Sequence, residues 1–161
     1  VARNHFIAQR IATMRRRGRV ILVLSDRIAQ LHTLKAMVVD QFGLPECEVG
    51  LFVGSTRESD RVEELKKPVV MCSYAMANEG VDKKEADTCV MASPKRRVVQ
   101  CIGRVQRPCE TKKCPLVLDI ADDISMFVPL RWHRQKLYST ESYEVQVLQC
   151  NTDIDDGRWF S

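Results

Sequence analysis

Short unbroken runs of branched apolar residues alternate along the chain with stretches whose apolar residues recur every three or four positions. The runs Val20 to Leu24, Val49 to Val53, Val69 to Cys72, Thr88 to Ala92 and Leu116 to Ile120 each predict a strand. Between them, Phe6, Ile7, Ile11 and Met14 predict a helix over 3–16 that Gly18 stops. Ile28, Leu31, Leu34, Met37 and Val38 share one face of a second helix. Ser25 or Asp26 can cap that helix, and Gly43 and Pro45 end it near Phe42. A charged helix is predicted over 58–67, closed by Pro68, with Glu63-Glu64 and Lys66-Lys67 as its solvated face. Tyr74 to Gly80 reads as loop or short helix, and helices are predicted over 95–106 and 124–138. A last strand is predicted from Tyr143 to Leu148, and the acidic stretch Asp153 to Gly157 reads as a loose tail.

Strands without polar alternation are buried on both faces. With helices between them they imply an α/β fold around a mostly parallel sheet, about five to seven strands with helices on both sides. In such sheets ligands bind beyond the carboxyl ends of the strands, so the loops after residues 24, 53, 72, 92 and 120 are the places to look for function. The 161 residues suffice for one domain with one good core. At 45% hydrophobic and 29% charged the chain is excluded from the disordered and collagen-like classes. No apolar run is long enough for a membrane-spanning helix, so no membrane partner is expected. The basic N-terminus lacks the apolar stretch of a signal peptide. Most of the seven cysteines fall inside apolar runs, which reads as reduced core thiols and an intracellular setting, cytoplasmic or nuclear.

The net charge of +4 is uneven: residues 1–19 hold six arginines and no carboxylate, leaving the rest of the chain at −2. Such a cluster attracts phosphate or simply solvates a helix face.

The loops are polar in a selective way. Ser25-Asp26-Arg27 follows the first strand and Gly54-Ser55-Thr56 the second; Ser73, Asn78, Glu79, Gly80 and Asp82 follow the third. The helix after the fourth contains Gln100-Cys101-Ile102-Gly103-Arg104-Val105-Gln106-Arg107. Arg104 and Arg107 are three apart and share a face, with Gln100 one turn earlier. Two guanidiniums on one face form a fork for polyphosphate oxygens; a pair of surface arginines with carboxylate partners is the plainer alternative.

Gln100 to Arg107 resembles the Q-x-x-G-R-x-x-R signature, motif VI, of superfamily 2 helicases. Tyr74-Ala75-Met76-Ala77-Asn78-Glu79-Gly80-Val81-Asp82 resembles their motif V. Ser25-Asp26-Arg27 is similar to the motif IV region and Gly54-Ser55-Thr56 to the short motif after it. The order and spacing match the C-terminal, second RecA-like domain of these enzymes over residues 18–122, most closely in helicases of large DNA viruses and phages, where a Pro-Lys pair (here Pro94-Lys95) precedes motif VI. On that resemblance residues 1–150 form the RecA-like domain, with 1–18 a basic lead-in helix, and 151–161 the acidic tail. It implies Arg107 as the arginine finger at the ATP γ-phosphate, Arg104 on the same phosphate or coupling it to motif V, and Gln100 near the nucleotide. Gly80 and Asp82 would lie at the domain junction, Asp82 toward the ribose. Ser25, Arg27, Gly54, Ser55 and Ser73 would face the sugar-phosphate backbone of bound DNA or RNA. Many members begin motif V with Thr; here Tyr74 holds that position and Ser73, whose hydroxyl can donate to phosphate, precedes it.

The sequence contains neither a G-x-x-x-x-G-K-[ST] loop nor a D-E-x-[DH] element after a strand; Asp122-Asp123 comes too late. Superfamily 2 enzymes hold Mg²⁺ and the phosphates mainly through those first-domain motifs. The expectation is half an ATPase: ATP and Mg²⁺ belong to an intact two-domain enzyme with a first RecA-like domain upstream, and this chain alone binds no cofactor tightly. A non-catalytic nucleic-acid-binding or scaffolding module derived from a helicase domain is the alternative, and an unrelated nucleotide-binding α/β domain a third reading. No metal site is expected: Cys109 and Cys114 lack a second matching pair, and His5, His32 and His133 are isolated. Trp132 and Tyr138 either stack on bases or anchor the late helix to the core, as aromatic burial favours.

Overall fold

The computed structural model describes residues 2–96, 98–110, 112–121 and 127–147. Five parallel strands form one sheet: β1 (Ile21–Ser25), β2 (Val49–Phe52), β3 (Val69–Ser73), β4 (Thr88–Met91) and β5 (Leu116–Asp119), in spatial order β2-β3-β1-β4-β5. The helices are α1 (Ala2–Arg16), α2 (Ile28–Ala36), α3 (Glu58–Lys66), α4 (Tyr74–Gly80), α5 (Val99–Gln106) and α6 (Val128–Thr140). A π-turn over Met37–Gln41 continues α2, and a 3₁₀ turn over Glu46–Glu48 leads into β2.

The period-2 geometry of a strand explains the apolar runs. Ile21 and Val23 of β1 point into one core with Val69, Met71 and Val90, covered by Ile7, Ile11 and Met14 of α1 and Leu31 and Leu34 of α2. Leu22 and Leu24 point the other way, into a second core with Val70, Cys72, Cys89 and Met91. There Tyr74 and Ala77 of α4, Cys101, Ile102 and Val105 of α5 and Tyr138 of α6 close over the sheet. This is the RecA-like α/β sandwich the sequence predicts. The basic helix α1 is a wall of the first core rather than an appendage. Its cations are engaged internally: Arg3 donates to the Ala92 carbonyl at 2.7 Å, Arg15 pairs with Glu48 at 2.7 Å, and Arg16 donates to the Phe42 carbonyl.

Four predicted features differ in the structure. The helix predicted over 95–106 starts only at Val99; Lys95 is instead held by Asp26 through its ammonium and by Arg134 through its carbonyl. Tyr143 to Val147 forms no strand: Ser142 turns left-handed at φ 57° and the Tyr143 N–H returns to the Tyr138 carbonyl, a helix-terminating bond. Leu148 and the tail 151–161 lie outside the described residues. Neither Ser25 nor Asp26 is the N-cap of α2; Arg27 is, and the Ser25 hydroxyl accepts its N–H at 3.0 Å. Glu64 is not merely solvated, since its carboxylate accepts the Leu51 N–H at 2.5 Å and so covers the open side of edge strand β2.

Candidate nucleotide cleft and nucleic-acid edge

The sequence-predicted residues fall into two groups. Arg104, Arg107, Gln100, Gly80 and Asp82 gather on the α4–α5 face of the sheet. Ser25, Arg27, Gly54, Ser55 and Ser73 gather along the carboxyl ends of β1, β2 and β3.

The first group is built by α5 returning from the carboxyl end of β4 toward the amino end of β5. Cys101, Ile102 and Val105 bury one side of that helix, which turns Gln100, Gly103, Arg104 and Arg107 outward. With Asn78 of α4 they line an open cleft of about 420 Å³. Gly80 sits at φ 148°, a conformation that L side chains rarely adopt, and so ends α4 abruptly. The chain then presents the Val81 carbonyl to Arg104, whose guanidinium donates to it and joins the two motifs directly. The Arg104 Nε–H is buried without an acceptor among the described residues. Leaving a buried donor unmet costs about 1–3 kcal/mol, so this residue of the cleft lining carries an unsatisfied polar group. Arg107 caps the end of α5 and pairs with Asp82 at 3.2 Å, both groups more than half exposed. Asp82 also has Lys84 at 3.8 Å. Two guanidiniums, one amide and an open donor on one wall suit a polyphosphate.

Under this wall lie three thiols. Burial pushes the Cys72 thiol up to about 12, against a small pull from the Arg104 charge, and raises Cys89 and Cys101 as well. They are packing groups, not nucleophiles.

In the second group the register places Ser25 beside Ser73 at the sheet's carboxyl edge. Both hydroxyls work internally. Ser25 is fully buried and donates to the Gln30 side chain at 2.8 Å. Ser73 is 8% exposed and caps α4 by accepting the Met76 N–H at 3.3 Å. Arg27, Gly54 and Ser55 are exposed. The turn carrying Gly54 and Ser55 is fixed by the Thr56 hydroxyl, which accepts the Val53 N–H and donates to the Leu51 carbonyl, each at 3.0 Å. Sequence reasoning named Asn78 among the polar loop residues without giving it a role, and it missed Lys84, two residues past Asp82. It also missed the buried pair Arg134–Asp119, which no local pattern announces. Of the two late aromatics, Tyr138 is buried as an anchor, whereas Trp132 is 64% exposed.

No family model matches the chain. A protein of Acanthamoeba polyphaga mimivirus named "Putative ATP-dependent RNA helicase" is 30% identical over 146 residues, 89% of this chain. African swine fever virus proteins of the same designation are 25% identical over 100 residues, 61% of this chain. The chain spans 28% of the length of the first relative and 20% of the second. Among solved structures, the DUF1998 helicase MrfA bound to DNA and AMPPNP matches with a TM-score of 0.69 at 12% identity, covering 85% of this chain and 20% of that one. Domain 2 of the DEAD-box helicase Mss116p, bound to an RNA duplex, matches with a TM-score of 0.62 at 14% identity, covering 89% of this chain and 57% of that one. At such identities the structural likeness establishes the fold. In sequence the chain is similar to these viral helicases, and in fold to domain 2 of a DEAD-box helicase.

Proposed function

We propose that this chain is the C-terminal motor half of an ATP-dependent helicase acting on DNA or RNA. The observation that carries this reading is the α5 wall, where Arg104 holds motif V through the Val81 carbonyl while its Nε–H stays open. Arg107, paired beside it with Asp82, is the arginine finger of the proposal. ATP with Mg²⁺, held mainly by a first RecA-like domain upstream in the native chain, would supply the phosphoryl transfer that drives the motor. In that transfer Arg107 leaves Asp82 for the developing γ-phosphate charge, Arg104 fixes motif V against the same phosphate, and Gln100 lines the nucleotide side of the cleft. Gly80 gives the turn, and Asp82 faces the ribose. At the carboxyl edge Arg27, Gly54 and Ser55 contact the strand's backbone, while Ser25 and Ser73 hold the loops that present them. The host-cell interior is the proposed setting; no described helix is long and apolar enough to cross a membrane.

The test is Arg107→Ala in the intact enzyme. Strand binding is expected to persist while ATP turnover falls by about 10³ to 10⁵, the usual worth of an arginine finger. Near-normal turnover refutes the arginine-finger assignment. The 161 residues by themselves are expected to hydrolyse no ATP, as the chain has no phosphate-binding loop of its own; robust turnover by them refutes the half-site reading.

A further inference from the structure

The loop between β4 and α5 is anchored at the sheet's carboxyl edge by bonds from distant parts of the chain. Arg3 donates to the Ala92 carbonyl at 2.7 Å and Gln30 to the same oxygen at 3.3 Å. Ser93 accepts the Asp26 N–H on its hydroxyl at 2.9 Å, and its carbonyl accepts the Tyr74 hydroxyl at 3.1 Å. From α6, Arg134 donates to the Lys95 carbonyl at 3.1 Å.

Arg134 is 2% exposed. Its Nε bonds the Asp119 carboxylate at 2.7 Å, and the Tyr138 hydroxyl donates to the same oxygen at 2.9 Å. Burying such a pair is no general route to stability, since apolar replacements of equal volume are often as stable or more so. What this pair accomplishes beyond filling space is to fix the backbone of Lys95.

The side chain so presented is one-third exposed. Its ammonium meets both Asp26 oxygens, at 2.9 and 3.0 Å, and lies 5.2 Å from the centre of the Tyr74 ring. Two exposed arginines stand next in sequence to this pair: Arg27 follows Asp26, and Arg96 follows Lys95 itself. Loops at sheet ends ordinarily move. A cation whose backbone is anchored, with an exposed arginine next in sequence to it and another next to its partner, on the edge shared with Gly54 and Ser55, fits a row of phosphates.

We propose that Lys95 is a phosphate-contacting residue of the nucleic-acid track, with Asp26 as its resting counter-charge and Arg134 as the positioning residue that holds its backbone. The proposal rests on the helicase reading and extends it to Lys95 and Arg134, which lie outside the motifs. In the free domain Asp26 holds the ammonium. A bound strand brings a phosphate oxygen to Lys95, and the Asp26 carboxylate then stands near that phosphate and opposes it.

The test uses the native chain that carries these residues, with a fluorescent single-stranded oligonucleotide and a salt series. One lost contact on a single strand lowers the slope of log K against log salt by about 0.7. Lys95→Ala is expected to show that drop and Lys95→Arg to keep the wild-type slope. Asp26→Asn is expected to tighten binding several-fold, and to have no such effect in the Lys95→Ala background. Arg134→Met is expected to lose slope as Lys95→Ala does, with Arg134→Lys restoring part of it. If Arg134→Met fails to fold, the Lys95 and Asp26 variants decide. An unchanged slope in Lys95→Ala, or weaker binding in Asp26→Asn, overturns the proposal and leaves the helicase reading standing. A wild-type chain that binds no strand at low salt overturns both.

Discussion

Replacing Gly50 by alanine tests how α3 and the turn before it are held on the sheet. Gly50 lies in β2, and a Cβ there would sit 2.3 Å from the Glu64 carbonyl oxygen and 3.2 Å from the Glu64 Oε2. Ordinary contact between such atoms needs about 1 Å more. The near atom belongs to helix backbone, so α3 must withdraw as a body. Overpacking of this kind costs about 1–3 kcal/mol. Withdrawal also breaks the bond from the Leu51 N–H to the Glu64 carboxylate, and a hydrogen bond to a charged group contributes about 1.5–3 kcal/mol. Together the loss is roughly 3–6 kcal/mol, a large part of the 5–15 kcal/mol typical of a folded domain. Urea denaturation followed by far-UV circular dichroism measures it, with Gly54→Ala as the control. An added Cβ at Gly54 meets nothing within 4 Å, so that variant is expected to lie within about 0.5 kcal/mol of wild type. A Gly50→Ala loss below about 1 kcal/mol would refute the close-approach argument, as would an equal loss in Gly54→Ala.

The Glu64 carboxylate also sets a pH dependence. Burial raises its pKa, but the bonds from Lys67 and the Leu51 N–H outweigh burial and leave it below the ordinary 4.5. Its contribution is therefore complete above that value and lost as pH falls through the lower folded-state value. Urea midpoints measured from pH 6 to pH 3 should fall more steeply for wild type than for Glu64→Gln; parallel curves would exclude the role. The thiols offer a separate check. Exposed Cys47 and Cys114 should react quickly with a thiol reagent in the native state, whereas Cys72, Cys89 and Cys101 should react only on unfolding, as peptide mapping would show. Fast native labelling of Cys101 would mean that α5 does not pack as described.

What the sequence made legible is what short-range pattern controls. Ile21 to Leu24 read as a strand buried on both faces because neither face offers a polar residue, and the two cores divide those four side chains evenly. Gln100, Arg104 and Arg107 read as one helix face because Cys101, Ile102 and Val105 occupy the other. The misreadings come from partners distant in the chain. Nothing near Lys95 shows that Asp26 and Arg134, 69 and 39 positions away, hold its ammonium and its carbonyl. Nothing near Ser73 distinguishes a hydroxyl that meets a ligand from one that caps α4. Glu64 looked solvated because its acceptor role depends on an edge strand 13 residues earlier.

One site group lies on the α4–α5 face of the sheet and the other along its carboxyl edge, and α4 is the element they share. It begins at the carboxyl edge, where Ser73 caps it and the register sets Ser73 beside Ser25. It ends seven residues later at Gly80, where Arg104 grips the next carbonyl. Seven helical residues span about 10 Å, too short to bend appreciably. A displacement at the Val81 end therefore reaches Ser73 as a movement of the whole helix. Arg104 is the group that would respond to a phosphate in the cleft: it lines that cleft, its Nη1 holds motif V, and its Nε–H has no partner among the described residues. Under the proposed function this gives coupling a concrete path. The nucleotide acts on one side of a guanidinium whose other side already holds the helix that reaches the nucleic-acid edge. The anchoring of 92–95 by Arg3, Tyr74 and Arg134 supplies the fixed frame against which such a movement would be felt, since Tyr74, the first residue of α4, donates its hydroxyl to the Ser93 carbonyl.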